Sequence, residues 1–313
     1  MRALGWRFVL LLGLSALFML VGQLLLPGFA NATQVANQLK IASFLGLFAL
    51  CQTIVIAAGG EGLDLSVGAL ATLGGIVGAA VMAGSNVLMA PAAVVAVASG
   101  AAVGLISGIG IAVLGIPPLV ATLAMASVVD GGLIVFTSLF QPANAASPLL
   151  VVIAGQASFG VPNVVVIWVV LAAVALWVLW RTAWGRRLCA TGASARVALL
   201  SGTNTVVVQA GAYVLSAAIA ALSGFLLTGY VGQAFLGLGN SYILISIVVA
   251  VIGGVALAGG RAPYLSVVAA AIMITVLVSL LTAVNMAESG RQVIFGLILL
   301  AFLVVDRQLG RAR

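Results

Sequence analysis

The sequence predicts an all-α, polytopic integral membrane protein with about ten transmembrane helices. Of its 313 residues, 64% are hydrophobic and only 5% are charged, whereas a soluble domain carries about 25% charged residues. Apolar runs of about 18 residues or more recur along the whole chain, and this is the length that a transmembrane helix needs. The runs do not alternate between apolar and polar residues, as the strands of a membrane β-barrel would.

The ten spans follow from these runs, and the connections contain glycine, proline and polar residues. Pro27-Gly28 ends the first span, and Pro117-Pro118 follows the fourth, because proline removes a backbone donor and blocks the preceding turn. No loop is long enough to fold alone, so we expect one transmembrane domain over residues 1–313. We place the spans at about 8–26, 41–58, 69–83, 90–114, 119–139, 164–180, 206–228, 243–257, 264–284 and 293–305.

Glycines spaced four residues apart, as in Gly74 and Gly78 or Gly104 and Gly108, predict close packing of helix backbones. Basic residues predict the orientation of the chain. If the N-terminus is cytoplasmic, ten of the twelve Lys and Arg residues are cytoplasmic, and Lys40 and Arg291 face outward. Both termini are then cytoplasmic. The ten residues are Arg2, Arg7, Arg181, Arg186, Arg187, Arg196, Arg261, Arg307, Arg311 and Arg313.

The longest polar interval of the chain covers residues 181–205 and carries four arginines. Within it, Ala193 to Leu200 reads as one short amphipathic helix, preceded by Thr191-Gly192 and closed by Ser201-Gly202. Glycine just past a helix end supplies the positive φ that stops a helix. We expect this helix to be a cytoplasmic handle by which a soluble partner moves the membrane domain.

Three acidic residues, Glu61, Asp64 and Asp130, lie at or within membrane segments. An ionisable group there costs about 3 kcal/mol or more, which makes each a functional hypothesis. Residues 59–68 are typical of a broken or re-entrant helix, in which Asp64 and Ser66 are good N-cap types for the restarting helix. Capping is favoured over the alternative, in which these side chains line the translocation path. Asp130, followed by two glycines, is a weaker case of the same kind.

Composition argues against catalysis. The chain has no His, only Cys51 and Cys189 as thiols, and no P-loop motif, so we expect no catalytic residue, no metal site and no bound cofactor. Its basic residues are spread among loops, so they do not indicate a nucleic-acid partner. If the chain pumps a solute, ATP must be hydrolysed by a separate subunit.

Four segments of the chain resemble, in the same order, the permease subunit of ribose-type bacterial ABC importers, whose relatives carry autoinducer-2. The segments are Gly-Gly-Glu-Gly-Leu63-Asp64-Leu65-Ser66-Val67-Gly68, Gly115-Ile-Pro-Pro-Leu-Val-Ala-Thr-Leu123, Trp184-Gly-Arg-Arg-Leu-Cys-Ala-Thr-Gly192 with Ala198-Leu-Leu-Ser-Gly202, and Val251-Ile-Gly-Gly-Val-Ala-Leu-Ala-Gly-Gly-Arg261. The first segment has one extra residue before Asp64, and the short helix within the third lacks an acidic pair that is often found in this family.

The resemblance implies a multi-pass protein of the bacterial inner membrane that passes a monosaccharide or similar small polar solute. It implies three partners: a cytoplasmic ABC ATPase, a periplasmic sugar-binding protein and a second permease subunit, identical or not. The interval 181–205 matches the family's coupling loop. The expected ATPase-coupling residues are Gly192, Ala193, Arg196, Leu199, Leu200 and Gly202. The alternative is an ion-coupled secondary transporter or channel that uses Asp64 or Asp130 as its ion site.

Overall fold

The computed structural model describes residues 2–60, 62–158 and 160–311, so Glu61, an expected path or cap residue, lies outside the described residues. Among the described residues, regular secondary structure is α-helical except for one antiparallel pair of two-residue strands and an isolated bridge between Ala145 and Gln233. Its helices are α1 (Arg2–Leu25), α2 (Ala32–Ala57), α3 (Val67–Met82), α4 (Met89–Ala112), α5 (Pro118–Phe140), α6 (Pro148–Gly155), α7 (Asn163–Arg181), α8 (Ala183–Ala193), α9 (Ala195–Leu200), α10 (Thr205–Val231), α11 (Tyr242–Ile252), α12 (Tyr264–Ala283) and α13 (Glu288–Arg311); the strands are β1 (Ala157–Ser158) and β2 (Val161–Pro162).

A polytopic helical membrane fold is confirmed, while the count of ten spans is not established. Among the described residues, seven helices are long and apolar enough to cross a membrane: α1, α2, α4, α5, α7, α10 and α12. Two further predicted spans, α3 and α11, are shorter apolar helices of 16 and 11 residues. The tenth predicted span lies in α13, where the side chains of residues 301–311 are outside the described part.

The centre of the fold is formed by α2 and α10. The α10 helix packs on α2, α3 and α4, and α2 also packs on α11 and α12. The middle of α2 is fully enclosed, with Phe44, Leu47 and Phe48 buried. The outer helix α7 instead exposes large apolar side chains such as Val169 and Trp177, as expected for a surface that faces lipid.

Glycines bring the central helices close together, which confirms the packing prediction. A Cβ on Gly104 would lie 2.6 Å from the Tyr213 carbonyl oxygen, and one on Gly108 would lie 2.8 Å from the Ala210 carbonyl oxygen. Gly74 and Gly78 pack in the same way against other residues of α10. Small residues let helix backbones approach within van der Waals contact in a membrane, where no hydrophobic effect drives helices together.

Four basic residues lie toward two ends of the described structure, Arg7 and Arg261 at one end and Lys40 and Arg291 at the other. Gly260, next to Arg261, packs against Ala193 of α8, and the Arg7 guanidinium lies beside Gly254 of the same α11–α12 connection. Lys40 lies 17 residues before the end of α2, which corresponds to about 26 Å along the helix axis. Arg291 lines a cavity together with Ile41, near Lys40. These four residues separate as the sequence predicted, while the side of the membrane that each end faces stays a prediction.

Candidate functional site

The α2 helix is followed by a re-entrant segment, described at residues 58–60 and 62–66, before α3 begins. Gly59 and Gly60 adopt left-handed φ values of 85° and 68°, which turn the chain back along α2. The Gln52 amide then donates to the Asp64 carbonyl oxygen (2.7 Å) and accepts from the Asp64 amide (3.3 Å). Gln52 lies five residues before Ala57, so α3 begins about 7.5 Å back from the end of α2. This is the broken helix that the glycines predicted.

The Asp64 carboxylate is buried and fully bonded within the protein. Its Oδ1 accepts hydrogen bonds from the Ser66 amide (2.9 Å) and hydroxyl (2.5 Å), and its Oδ2 accepts one from the Ser216 hydroxyl (3.2 Å). Ser66 is the N-cap residue of α3 but makes no side-chain capping bond of its own. The carboxylate therefore orders the turn before α3 and ties it to α10. Among the described residues, neither Asp64 nor Ser66 accepts an amide from the first turn of α3, so the predicted capping is not observed and Asp64 instead orders the turn before the helix. The alternative role in the translocation path stays a prediction.

Thr122 joins the re-entrant segment to the start of α5. Its buried hydroxyl accepts a hydrogen bond from the Leu65 amide (3.2 Å) and donates to the Leu63 carbonyl oxygen (3.3 Å). The second segment of the resemblance is thereby bonded to the first. Backbone polar groups in a membrane must form hydrogen bonds within the protein. Here one threonine hydroxyl bonds both a backbone N–H group and a backbone carbonyl of the non-helical segment.

Asp130 lies eight residues after Thr122, about 12 Å farther along α5. The expectation that Asp130-Gly131-Gly132 breaks a helix is wrong, because α5 runs without interruption from Pro118 to Phe140. A Cβ on Gly131 or Gly132 would meet open space, so no neighbouring backbone forces the helix apart. Asp130 is half-buried and has no hydrogen bond or ion pair with any residue that the structure describes.

The interval 181–205 contains two helices where one was expected. Ser194 adopts extended backbone angles between α8 and α9, and its hydroxyl accepts the Val197 amide (3.4 Å) as an N-cap. Gly192 and Ala193 therefore end α8 and do not belong to the exposed helix α9. The sequence did not predict α8, because Arg186 and Arg187 make this stretch polar and typical of a loop. The α8 face that contains Leu188 is nevertheless buried.

The short helix α9 presents an apolar surface. Val197, Leu199 and Leu200 are 64%, 61% and 82% exposed, and Arg196 is exposed beside them. Ala198 is the one buried residue of the six that form α9. Gly202 adopts a φ of 81° and stops the helix, as the sequence predicted. Arg196, Leu199 and Leu200 are thus available to a partner, while Gly192 packs inward against the end of α2.

Sequence reasoning missed the polar residues that hold the re-entrant segment. Gln52, Thr122 and Ser216 each lie within an apolar helix and each bonds to residues 63–65. A single polar side chain in a predicted span is the signal that could have indicated them, because polar groups within a membrane usually form hydrogen bonds inside the protein. Tyr213, whose hydroxyl lies near Gly62, has no hydrogen-bond partner among the described residues.

The chain is similar to known transport permeases over nearly its whole length. Residues 34–303 match the family described as "Branched-chain amino acid transport system / permease component". The ribose import permease protein RbsC of Bacillus subtilis is 32% identical, covering 95% of this chain and 91% of its own length. The galactose/methyl galactoside import permease protein MglC of Escherichia coli is 28% identical, covering 96% and 93%. The fructose import permease protein FrcC of Rhizobium meliloti is 29% identical, covering 96% and 83%.

No solved structure matches the chain. The family match nevertheless covers far more than half of the sequence, and the ribose permease exceeds 30% identity. A membrane-embedded fold, with a re-entrant segment and an exposed short helix α9, is consistent with such a subunit. The chain belongs to this family of permease components, and it is the transport subunit of an ABC importer and not its ATP-hydrolysing enzyme.

Proposed function

We propose that this chain is the membrane-spanning subunit of an ATP-driven importer for a neutral monosaccharide in the bacterial inner membrane. Both of its termini are cytoplasmic, and a separate ABC ATPase drives it through α9. A periplasmic sugar-binding protein delivers the solute, and a second permease subunit completes the channel. The exposed apolar surface of α9 supports the proposal most directly.

The surface of α9 has the composition of a docking site for a soluble protein. Three large apolar side chains, Val197, Leu199 and Leu200, are more than half exposed on a helix of six residues. They lie beside Arg196 in the arginine-rich interval 181–205, which the positive-inside rule assigns to the cytoplasmic surface. The buried cores of protein interfaces are more apolar than the rest of the surface and are enriched in arginine. The occupant proposed here is the cytoplasmic ATPase.

The test is association of the ATPase with two α9 variants, Leu200→Asp and Arg196→Glu. We expect both to insert in the membrane at wild-type yield and to lose co-purification of the ATPase. The matched control is Val87→Asp, because Val87 is 84% exposed but lies between α3 and α4 at the other end of the molecule. Normal co-purification of the ATPase with both α9 variants would reject the coupling role.

One face of α5 supports a path between two permease subunits. Asp130 and Thr137 lie seven residues apart, which places them on one side of the helix, and Gln141 follows directly after its end. Thr137 and Gln141 line a cavity of about 340 Å³ near Asn144 and Phe235, within the range of small-molecule sites. A carboxylate is costly against lipid, so this face suits water, solute or a second copy of the chain.

The monosaccharide class rests on the relatives, since ribose, galactose and fructose appear in their names. The family description instead names branched-chain amino acids. The two classes are separated by uptake into proteoliposomes that contain this chain, its ATPase and its binding protein. We expect ATP-dependent uptake of at least one of the three sugars and none of leucine. Uptake of leucine alone would reject the sugar assignment.

The same vesicles test the ion-coupled alternative. The Asp64 oxygens are occupied by Ser66 and Ser216, which leaves this carboxylate without an open face for a transported ion. This argument applies to Asp64 and not to the unpartnered Asp130. Because the chain belongs to a family of ABC importer permeases, we expect no uptake by the permease alone under a proton or sodium gradient. Gradient-driven uptake without ATPase would favour the secondary transporter.

A further inference from the structure

Four glycines from three distant parts of the sequence meet at one point, which we name the glycine junction: Gly59, Gly192, Gly259 and Gly260. The Gly260 amide donates a hydrogen bond to the Ala57 carbonyl oxygen at the end of α2 (3.1 Å). A Cβ on Gly59 would lie 2.7 Å from the Gly192 Cα, and a Cβ on Gly259 would lie 2.8 Å from the Gly192 carbonyl oxygen. The junction therefore joins the re-entrant segment, the end of α8 and the α11–α12 connection.

Contacts at the glycine junction are between backbones, with no side chain that could rotate away. A Cβ on Gly260 would lie 2.9 Å from the Ala193 Cα, and one on Gly259 would lie 2.7 Å from the Gly59 Cα. Such separations are closer than real Cβ contacts allow, so any larger residue must push the backbones apart. Rotamer changes cannot absorb a displacement here, and the three segments are expected to move together.

Gly192 differs from the other three junction residues in its backbone. Gly59, Gly259 and Gly260 adopt φ values of 85°, 88° and 80°, which also require glycine. Gly192 lies within α8 at ordinary helical angles, so alanine suits its backbone. A Cβ there would nevertheless collide with the Ala57 carbonyl oxygen and would lie 2.5 Å from the Gly260 amide nitrogen. Gly192→Ala therefore disturbs the glycine junction only through the contacts of the added methyl group, and not through backbone strain at residue 192.

The glycine junction lies between α9 and the hydrogen-bonded residues 63–65 of the membrane domain. On one side, Gly192 is three residues from the first residue of α9. On the other side, Gly59 leads into residues 63–65, which bond to Thr122 of α5 and to Gln52 of α2. The junction therefore lies next to residues whose hydrogen bonds reach the start of α5 and the second half of α2.

We propose that Gly192 is the positioning residue that transmits movement of α9 to the re-entrant segment and α5, through backbone contact at the glycine junction. This inference rests on the proposed ATP-driven function, because it requires an ATPase to move α9. It assigns to Gly192 a role in transmission and none in contact with the ATPase, in contrast to the role that its sequence position suggested.

The first test compares Gly192→Ala with Gly211→Ala in the permease–ATPase complex. Gly211 also lies in a helix, and its Cβ would meet only the Trp184 indole at 3.7 Å. We expect Gly192→Ala to retain ATPase co-purification and membrane yield. Its uptake rate should fall roughly tenfold, within the range for single residues on a coupling network. Its ATP hydrolysis should no longer respond to loaded binding protein, and Gly211→Ala should behave as wild type.

The second test does not depend on how Gly192→Ala folds. Spin labels on cysteines at Ala195 in α9 and Val120 in α5, both exposed and neither in the proposed docking surface, report the distance between these helices. Cys51→Ala and Cys189→Ala remove the native thiols. We expect this distance to stay constant between nucleotide-free and ATP-bound complexes that carry native Gly192. A shift of several ångström would overturn the inference.

Different experimental results would reject the proposed function and the transmission role of Gly192. Wild-type permease that never associates with its ATPase would reject the proposed function, and the transmission role with it. Wild-type permease that associates normally, together with full uptake by Gly192→Ala, would reject the transmission role and leave the proposed function standing. Uptake loss shared equally by Gly192→Ala and Gly211→Ala would also reject the role of Gly192, because the loss would then not depend on the junction.

Discussion

Asp64 and Asp130, two aspartates of the membrane domain, differ in their burial and in their hydrogen bonding. Asp64 is buried, and its carboxylate accepts hydrogen bonds from Ser66 and Ser216. Asp130 is half-buried on α5 and bonds to none of the residues that the structure describes. A carboxylate whose oxygens are satisfied internally holds the fold together, whereas one without partners points to something outside the chain. The same residue type therefore indicates structure at one site and transport at the other.

The largest effect is expected for Asp64→Leu. This change leaves the Ser66 amide and hydroxyl and the Ser216 hydroxyl without an acceptor, and each buried unsatisfied group costs about 1–3 kcal/mol. We expect little folded protein in detergent extracts. Asp64→Asn keeps an acceptor oxygen and should fold at reduced thermal stability. Complete loss of transport by Asp64→Asn, with a melting temperature equal to wild type, would instead indicate direct solute contact.

For Asp130, transport should change while stability does not. Asp130→Leu removes the carboxylate from the proposed path, and we expect the uptake rate to fall roughly tenfold at normal membrane yield. Ser127→Ala is a suitable control, because within the described part of the chain the exposed Ser127 hydroxyl bonds only to the Leu123 carbonyl of its own helix. A stabilised Asp130→Leu variant with full transport would show that Asp130 faces lipid, where its charge costs about 3 kcal/mol.

A smaller effect is expected for Thr122→Val, which keeps the shape of the side chain. It removes the hydroxyl that bonds Leu63 and Leu65, and we expect a loss of about 1–3 kcal/mol from the unsatisfied backbone groups. Reversible unfolding in mixed micelles can measure this difference. Stability equal to wild type would show that water replaces the hydroxyl, and Thr122 would then not be needed to hold the re-entrant segment.

The smallest effect is expected for Ser216→Ala. The Asp64 carboxylate keeps both bonds from Ser66, so we expect a loss of about 1 kcal/mol, the net contribution of one hydrogen bond. The ratio of this loss to that of Asp64→Leu measures how strongly the carboxylate depends on α10. A loss as large as that of Asp64→Leu would place the main role of Asp64 in the link to α10 and not in the turn before α3.

The sequence predicted the local features of the fold better than the contacts between distant segments. Apolar length predicted the helices, and the glycines at 59, 60 and 202 predicted a broken helix and a helix stop, because these signals are local. It failed at Asp130, where an acid before two glycines looked like a break but no neighbour interrupts α5. It also failed at Gly192, whose packing depends on residues 57, 59 and 260, which no local pattern connects.

Accessibility of α9 tests the account most directly. A single cysteine at Leu200, with Cys51→Ala and Cys189→Ala, is treated with a membrane-impermeant maleimide in right-side-out and inverted vesicles. We predict labelling in inverted vesicles alone, and protection when purified ATPase is added. Labelling in right-side-out vesicles would place α9 on the periplasmic side, out of reach of any ATP-hydrolysing subunit, and would contradict the account.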